Sequence, residues 1–191
     1  MGERERETES AHRFSPAAPD EEFVYGSCSP GWHSAADHQT CVEQWISFVQ
    51  SEEIERVCCL LAGRHLEEQE SNVTRYREAF GEQRVLHAPV PDRQLVDIQQ
   101  LQEEILPFIE EGVRAGEPVV VQGLSGLSRT GQVLASWLIY GRDYGPTDAV
   151  DAVIRSGRDP TAAVGTGDVT RADLFDLLGE MAQHSEPEVN I

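Results

Sequence analysis

The chain has 191 residues, which is enough for one domain with a sizeable hydrophobic core. Its 34 acidic and 15 basic residues give a formal net charge of -19, and every basic residue is an arginine. A chain this acidic repels nucleic acid and anionic membranes, so neither is an expected partner, and the charge predicts an acidic surface suited to a high-salt cytoplasm.

The beginning of the chain, from Met1 to about Asp20, is polar and includes a Ser-Pro-Ala-Ala-Pro stretch. We expect a disordered lead-in over residues 1–21, one domain over 22–183 and a flexible tail over 184–191. The lead-in has no apolar segment typical of a secretory signal, and no apolar run is long enough to span a membrane. A cytoplasmic location is therefore predicted.

Strands and helices alternate along the predicted domain. The strands are predicted at Phe23–Tyr25, Arg56–Leu61, Arg84–Ala88 and Val119–Val121. The helices are predicted around Val42–Val49, around Val73–Phe80, from Ile98 to near Gly116, from Arg129 onward, over Ala149–Arg155 and around Leu174–Leu178. This order predicts an α/β fold with a central, largely parallel sheet of about four to five strands flanked by helices.

The cysteines indicate a reduced protein without a disulfide framework. Cys58 and Cys59 are adjacent inside an apolar run, which is typical of buried thiols. Four other residues raise the question of zinc, namely Cys28, His33, His38 and Cys41. Their spacing fits none of the common zinc-finger patterns, so no metal site is expected.

The stretch from Pro118 to Gly131 carries the chemistry. It combines a buried strand, a tight loop rich in glycine and serine, and the start of a helix. The N–H groups of such a loop and of the helix N-terminus point at whatever anion lies in the loop. Arg129 adds a planar fork of hydrogen-bond donors suited to a phosphate group.

Two familiar glycine-rich loops do not fit this stretch. Gly126 and Gly131 have the spacing of a Walker A loop, but Gln132 follows where the phosphate-binding lysine belongs. The dinucleotide-binding fingerprint, Gly-x-Gly-x-x-Gly, fails because Ser125 stands where the second glycine is needed.

A third pattern, His-Cys-x-x-Gly-x-x-Arg-Ser/Thr-Gly, matches in register at Gly126, Arg129, Thr130 and Gly131. Here the sequence resembles the dual-specificity branch of the protein tyrosine phosphatase family, over roughly residues 22 to 180. The resemblance implies a protein tyrosine phosphatase-like fold in which no cofactor is needed.

The same resemblance assigns roles to individual residues. Asp92, 31 residues before Gly123 in a loop after a strand, matches the position of the general acid. The implied phosphate-binding residues are Leu124, Ser125, Gly126, Leu127, Ser128, Arg129 and Thr130.

The two departures from the pattern concern the catalytic residues themselves. Gly123 occupies the position of the nucleophilic cysteine, and Gln122 replaces the preceding histidine. In this chemistry a thiolate of depressed pKa attacks phosphorus, and an aspartate protonates the leaving oxygen. Gly123 has no side chain, so covalent catalysis there is impossible. The layout resembles pseudophosphatases of the Ser/Thr/Tyr-interacting type, which also carry glycine at this position.

The sequence therefore predicts a pseudophosphatase that binds phosphorylated protein, or a small phosphate-bearing ligand, through the Gln122–Arg129 loop. The alternative is an active phosphoric monoester hydrolase that uses Asp92 without a cysteine. A third possibility is that Gly123 was introduced to silence an active enzyme, although Gln122 would then need a separate change.

Overall fold

The structure is a computed structural model that describes residues 12–32, 34–62, 71–162 and 169–184. Within these residues one five-stranded sheet has the order β1-β2-β5-β3-β4. The strands are β1 (Ser15–Pro16), β2 (Val24–Ser27), β3 (Arg56–Cys59), β4 (Val85–His87) and β5 (Val119–Gln122). All neighbouring strands are parallel except β1 and β2. The predicted α/β fold with a largely parallel central sheet is thus confirmed.

Six helices of ten or more residues flank the sheet in the described part of the chain. They are α1 (His38–Ser51), α2 (Ser71–Phe80), α3 (Leu106–Ala115), α4 (Ser128–Arg142), α5 (Pro146–Arg155) and α6 (Arg171–His184). A short α-helical turn, Ile98–Gln100, and a π-helical turn, Leu101–Ile105, lead into α3. Gly116 ends α3 with a φ of 71°, a left-handed conformation that glycine adopts without steric strain.

Side chains of β5 enter two separate hydrophobic clusters. Val119 and Val121 pack with Leu134 of α4, whereas Val120 packs with Trp45 of α1. Alternate residues of a strand point to opposite faces of the sheet, so β5 is buried on both faces. This explains the uninterrupted run of valines, which is typical of a central strand in a parallel sheet. None of the helices within the described residues is both long and apolar enough to cross a membrane.

The structure differs from the expected disordered lead-in over residues 12–20. Ser15 and Pro16 pair with β2, and Ala17 and Ala18 are fully buried in the main hydrophobic cluster. Proline is tolerated at the edge of a sheet, and alanines bury little area, so neither leaves a strong strand signal in the sequence. Residues 1–11 of the lead-in and 185–191 of the tail lie outside the described residues.

A charged cluster holds the beginning of β3 to the loop before β5. Arg56, whose side chain is almost completely buried, donates from Nε to Glu117 Oε2 at 2.6 Å. Arg84 donates from Nη2 to Glu117 Oε1 at 2.5 Å. The hydrogen bonds from Arg56 and then from Arg84 hold the pKa of Glu117 below its usual value of 4.5. The carboxylate is therefore more stable in the folded than in the unfolded chain.

We expect Glu117→Gln to lower the free energy of unfolding at neutral pH by about 1–2 kcal/mol, because two charge-assisted hydrogen bonds are weakened. The difference from wild type should be complete above pH 4.5 and shrink as the pH falls through the lower folded pKa, since protonation then removes the same charge from the wild type. Urea denaturation between pH 7 and pH 3 measures this. Glu78→Gln, in an exposed pair 3.8 Å from Arg75, is the control. An equal effect of both substitutions would contradict the prediction.

Candidate functional site

The glycine-rich loop lies where the sheet topology favours ligand binding. It follows the carboxyl end of β5, the central strand, which has β2 on one side and β3 on the other. Chain connections leave toward opposite sides of the sheet at such a point, and ligands bind in the crevice that results. Residues 123–127 form the loop, and α4 begins directly after it at Ser128.

Three consecutive carbonyl groups of the loop accept hydrogen bonds on its outer side. The hydrogen bonds run from Ser29 N to Leu124 O (3.0 Å), from Arg13 Nη1 to Ser125 O (3.2 Å) and from Arg158 Nη1 to Gly126 O. A trans peptide is planar and directs its C=O and the following N–H to opposite sides. The N–H groups of residues 125, 126 and 127 therefore face away from these anchors, toward the inside of the loop.

These inward N–H groups are largely without partners. Within the described residues, no acceptor bonds the N–H of Ser125 or Gly126, and that of Leu127 has only a long contact of 3.4 Å with Ser125 Oγ. The first N–H groups of α4 add to the set, because the first turn of a helix lacks intrahelical acceptors. The loop thus offers several unpaired donors and the positive end of a helix dipole to one point.

Gly126 is required by this loop conformation. Its φ is 70°, and a Cβ there would lie 2.7 Å from Cys28 N and from the carbonyl of Ser27. Any side chain would clash with the backbone that follows β2, so the loop could not approach it so closely.

Arg129 is held across the pocket toward the loop that carries Asp92. Its Nη1 donates to Val90 O at 2.8 Å, and its Nη2 lies 3.5 Å from Asp92 Oδ1. Burial lowers the pKa of Arg129, and the charge of Asp92 opposes this shift. The guanidinium remains a cation at neutral pH because the ordinary arginine pKa is so high. The pocket is thus bordered by a buried cation whose charge is partly offset by the Asp92 carboxylate.

All the site residues predicted from the sequence surround a single cavity of about 170 Å³. The lining comprises Asp92, Gly123, Leu124, Ser125, Gly126, Leu127, Ser128, Arg129 and Thr130, together with Arg93 and Ala162, which the sequence did not indicate. The fold therefore brings the loop and the distant Asp92 together, as the resemblance implied. Phosphate binding by these residues stays a prediction.

The space of the missing cysteine side chain is partly taken by Thr130. A Cβ at position 123 would lie 2.6 Å from Thr130 Oγ1, so a larger residue there requires this hydroxyl to turn away. Thr130 is buried, and its hydroxyl has no hydrogen-bond partner among the described residues. The buried Gln122 side chain is also incompletely bonded, since its Oε1 lacks a partner within the same set.

The serines of the described pocket and the cysteines near it lack the features of an activated nucleophile. Ser125 Oγ and Ser128 Oγ bond Leu127 N and Gln132 Nε2, and neither contacts a basic group that could activate it. Burial raises the pKa of Cys28, and it raises that of Cys59, the cysteine nearest Arg129, to about 12. These thiols are therefore protonated and poor nucleophiles at neutral pH.

Two further predictions from the sequence concern burial of the Cys58 thiol and the absence of a zinc site. Cys58 is fully buried and burial raises its pKa, so it offers no thiolate. Within the described residues no three side chains of histidine, cysteine, aspartate or glutamate are grouped to hold a metal ion. His33 lies outside those residues.

Sequence reasoning missed three residues that position the site. Arg158, after α5, is buried and donates to the carbonyls of Gly26, Gly126 and Arg13. Gln132 bonds Val96 N through Oε1 at 3.1 Å and so braces the segment after Asp92 against α4. In the sequence Arg158 is one of 15 basic residues, and nothing in its spacing marks it as buried. Nothing in the sequence indicates the Gln132 and Arg13 contacts, which join distant segments.

Fold and loop together have the architecture of a protein tyrosine phosphatase-like protein, with Gly123 at the start of the loop. A family model described as "Tc-R-P: Polymorphic toxin system, DSP-PTPase phosphatase" matches residues 33–143, which is more than half of the chain. The chain therefore belongs to this family of dual-specificity, protein tyrosine phosphatase-like proteins.

Several solved structures are similar over nearly the whole chain. Tk-PTP in its active form is 27% identical, with a TM-score of 0.64 over 88% of this chain and 97% of that chain. Kinase associated phosphatase with serine in place of its catalytic-site cysteine is 17% identical, with a TM-score of 0.66 over 90% and 93%. PTPMT1 in complex with PI(5)P is 14% identical, with a TM-score of 0.68 over 90% and 96%. The last two show the fold alone. No curated protein sequence matches the chain significantly.

We expect Thr130→Val to raise the free energy of unfolding by about 1 kcal/mol, because a buried polar group without a partner costs roughly 1–3 kcal/mol. Urea denaturation of the ligand-free protein measures this. Thr170→Val is the matched control: the Thr170 hydroxyl donates to Asp173 Oδ2 at 2.6 Å and caps α6, so the same exchange should lower stability there. Destabilisation by Thr130→Val would show that its hydroxyl is satisfied in solution.

Proposed function

We propose that this protein is a pseudophosphatase that binds a phosphorylated protein or a small phosphate-bearing ligand through the Gln122–Arg129 loop. The observation that carries the proposal is Gly123, which removes the nucleophile from a loop whose carbonyls are still anchored outward and whose N–H groups still converge. Binding an oxyanion needs those donors and a cation, whereas hydrolysis by the usual route needs a thiolate.

The missing thiolate also favours binding. In a cysteine-dependent site the nucleophile places a negative charge beside the bound phosphate. Gly123 removes that repulsion while the cation Arg129, the loop N–H groups and the helix dipole remain. The overall charge of -19 opposes the approach of anions from solution, and salt screens this long-range repulsion far more than contacts within the pocket. A cytoplasm of high salt, as the composition predicts, would thus suit the proposed activity.

The first test is titration with inorganic phosphate by calorimetry or thermal shift. We expect Arg129→Met to weaken phosphate binding by about tenfold or more, because a partly buried charge-assisted hydrogen-bonding group is lost. Arg129→Lys should give an intermediate affinity, since it keeps the charge but not the planar fork.

Arg155→Met is the matched control for this titration. Arg155 lies on the exposed side of α5 and does not line the cavity, so its loss should change phosphate affinity less than twofold. Equal phosphate affinity of wild type and Arg129→Met, with both proteins folded by circular dichroism, would refute the proposed site.

The second candidate function is active phosphoric monoester hydrolysis without cysteine. The observation in its favour is that Asp92 lies at the same cavity, with its carboxylate 3.5 Å from the Arg129 guanidinium and about half exposed. A carboxylate so placed can receive a proton from water beside a bound phosphate. The family description, which names a phosphatase, also favours this candidate.

Hydrolysis of an aryl phosphate at high salt separates the two functions. Under the proposed pseudophosphatase function, wild type and Asp92→Asn should both release product no faster than buffer. An active wild type that loses about 100-fold or more of its turnover in Asp92→Asn, the range for a lost general acid or base, would establish the second candidate instead. Asp148→Asn, on the exposed start of α5, is the control for a change in surface charge.

A further inference from the structure

Arg93 is a second cation at the cavity, and neither the family pattern nor the loop accounts for it. It follows Asp92 directly and lines the same cavity as the loop residues. Its φ of 61° is left-handed, a conformation that a side chain other than glycine rarely adopts. The residue belongs to a turn that follows Val90 and Pro91, and this turn places the arginine at the cavity.

The two cations of the cavity differ in how they are paired. Asp92 lies beside the guanidinium of Arg129, whereas Arg93 forms no ion pair or side-chain hydrogen bond with any described residue. An unpaired exposed arginine is unremarkable on most proteins. Here it is one of only 15 basic residues against 34 acidic residues, and it is located at the mouth of the cavity that faces the loop. The charged residues that line the cavity in the described part of the chain, Asp92, Arg93 and Arg129, therefore have a net charge of +1, opposite in sign to that of the whole chain.

The cavity is larger than one phosphate group requires. Its volume of about 170 Å³ is many times the roughly 10–15 Å³ that a single water needs by the same kind of measure. A phosphate held by the loop and Arg129 occupies the inner end, next to Gly123. Arg93 lines the same cavity beyond the loop, so a phosphate held by the loop leaves Arg93 as a further cation at the cavity.

From these observations we propose that the site selects a diphosphate-type ligand, in which a second anionic phosphate lies directly beside the first. The loop and Arg129 hold the inner phosphate, and the guanidinium of Arg93 binds the outer one. This inference rests on the proposed phosphate-binding function and specifies its ligand class. Any phosphate can make the inner contacts, so Arg93 is the residue that distinguishes a diphosphate from a single phosphate.

The test compares inorganic phosphate, pyrophosphate and methylenediphosphonate, whose bridge resists hydrolysis, as ligands of the full chain. We expect Arg93→Met to weaken pyrophosphate and methylenediphosphonate binding by about fivefold, the size expected for an exposed ion pair, and to change phosphate binding less than twofold. Because Arg93 is exposed, its effect should shrink as salt rises, whereas the effect of Arg129→Met should persist. Arg93→Lys should retain most of the preference, since it keeps the charge.

The controls distinguish failure of this inference from failure of the phosphate site itself. Arg155→Met should leave all three affinities unchanged, and circular dichroism verifies that each variant is folded. Suppose that Arg129→Met weakens phosphate binding. If Arg93→Met then changes phosphate and pyrophosphate binding by the same factor, or changes neither of them, Arg93 does not select a diphosphate. If Arg129→Met has no effect on any of the ligands, the phosphate site and the diphosphate inference are both wrong.

Discussion

The site depends on the outward anchoring of three successive loop carbonyls. Because each peptide is planar, fixing a carbonyl on one side fixes the next N–H on the other. Ser29, Arg13 and Arg158 perform this anchoring from three separate segments, so the geometry of the loop is a property of the whole fold. Arg158 also bonds the carbonyl of Gly26 in β2, and its buried charge is stabilised by several carbonyl acceptors rather than by a carboxylate. Burial lowers the pKa of Arg158 to about 10, which leaves it charged at neutral pH.

Binding a phosphate group and cleaving its ester bond require different chemical groups in a pocket of this kind. The N–H donors and the cation stabilise negative charge wherever it lies, while bond cleavage requires an atom that attacks phosphorus. Gly123 offers no side chain at the position of the family's nucleophile, and the Thr130 hydroxyl occupies part of the space that a side chain there would need. A cysteine at position 123 would lie against this hydroxyl, and Thr130 would have to change rotamer to make room for the cysteine side chain. Thr130 itself matches the family pattern, and the two residues that depart from it are Gly123 and Gln122.

The fold and the loop could be predicted from the sequence because both depend on local patterns. The valine run of β5 and the register of Gly126, Arg129 and Thr130 are short-range features. What could not be predicted depends on contacts between distant segments, such as β1, where a two-residue pairing at the sheet edge includes Pro16. The position of Arg93 depends on a left-handed backbone that no residue type specifies there. Hydrogen bonds between residues that are far apart in the sequence leave no periodic pattern in that sequence.

The contacts of His12 and Arg13, just before β1, link the beginning of the described chain to the glycine-rich loop. His12 accepts a hydrogen bond from Cys28 N through its carbonyl, and Arg13 both bonds Ser125 O and accepts from Arg158. Two successive residues, His12 and Arg13, therefore connect the beginning of the described chain to the outer side of the glycine-rich loop. A force or a binding event that displaces this entering segment would release one of the loop anchors, and the N–H groups inside would lose their alignment. The alignment of the loop N–H groups therefore depends on how the chain is held at His12 and Arg13.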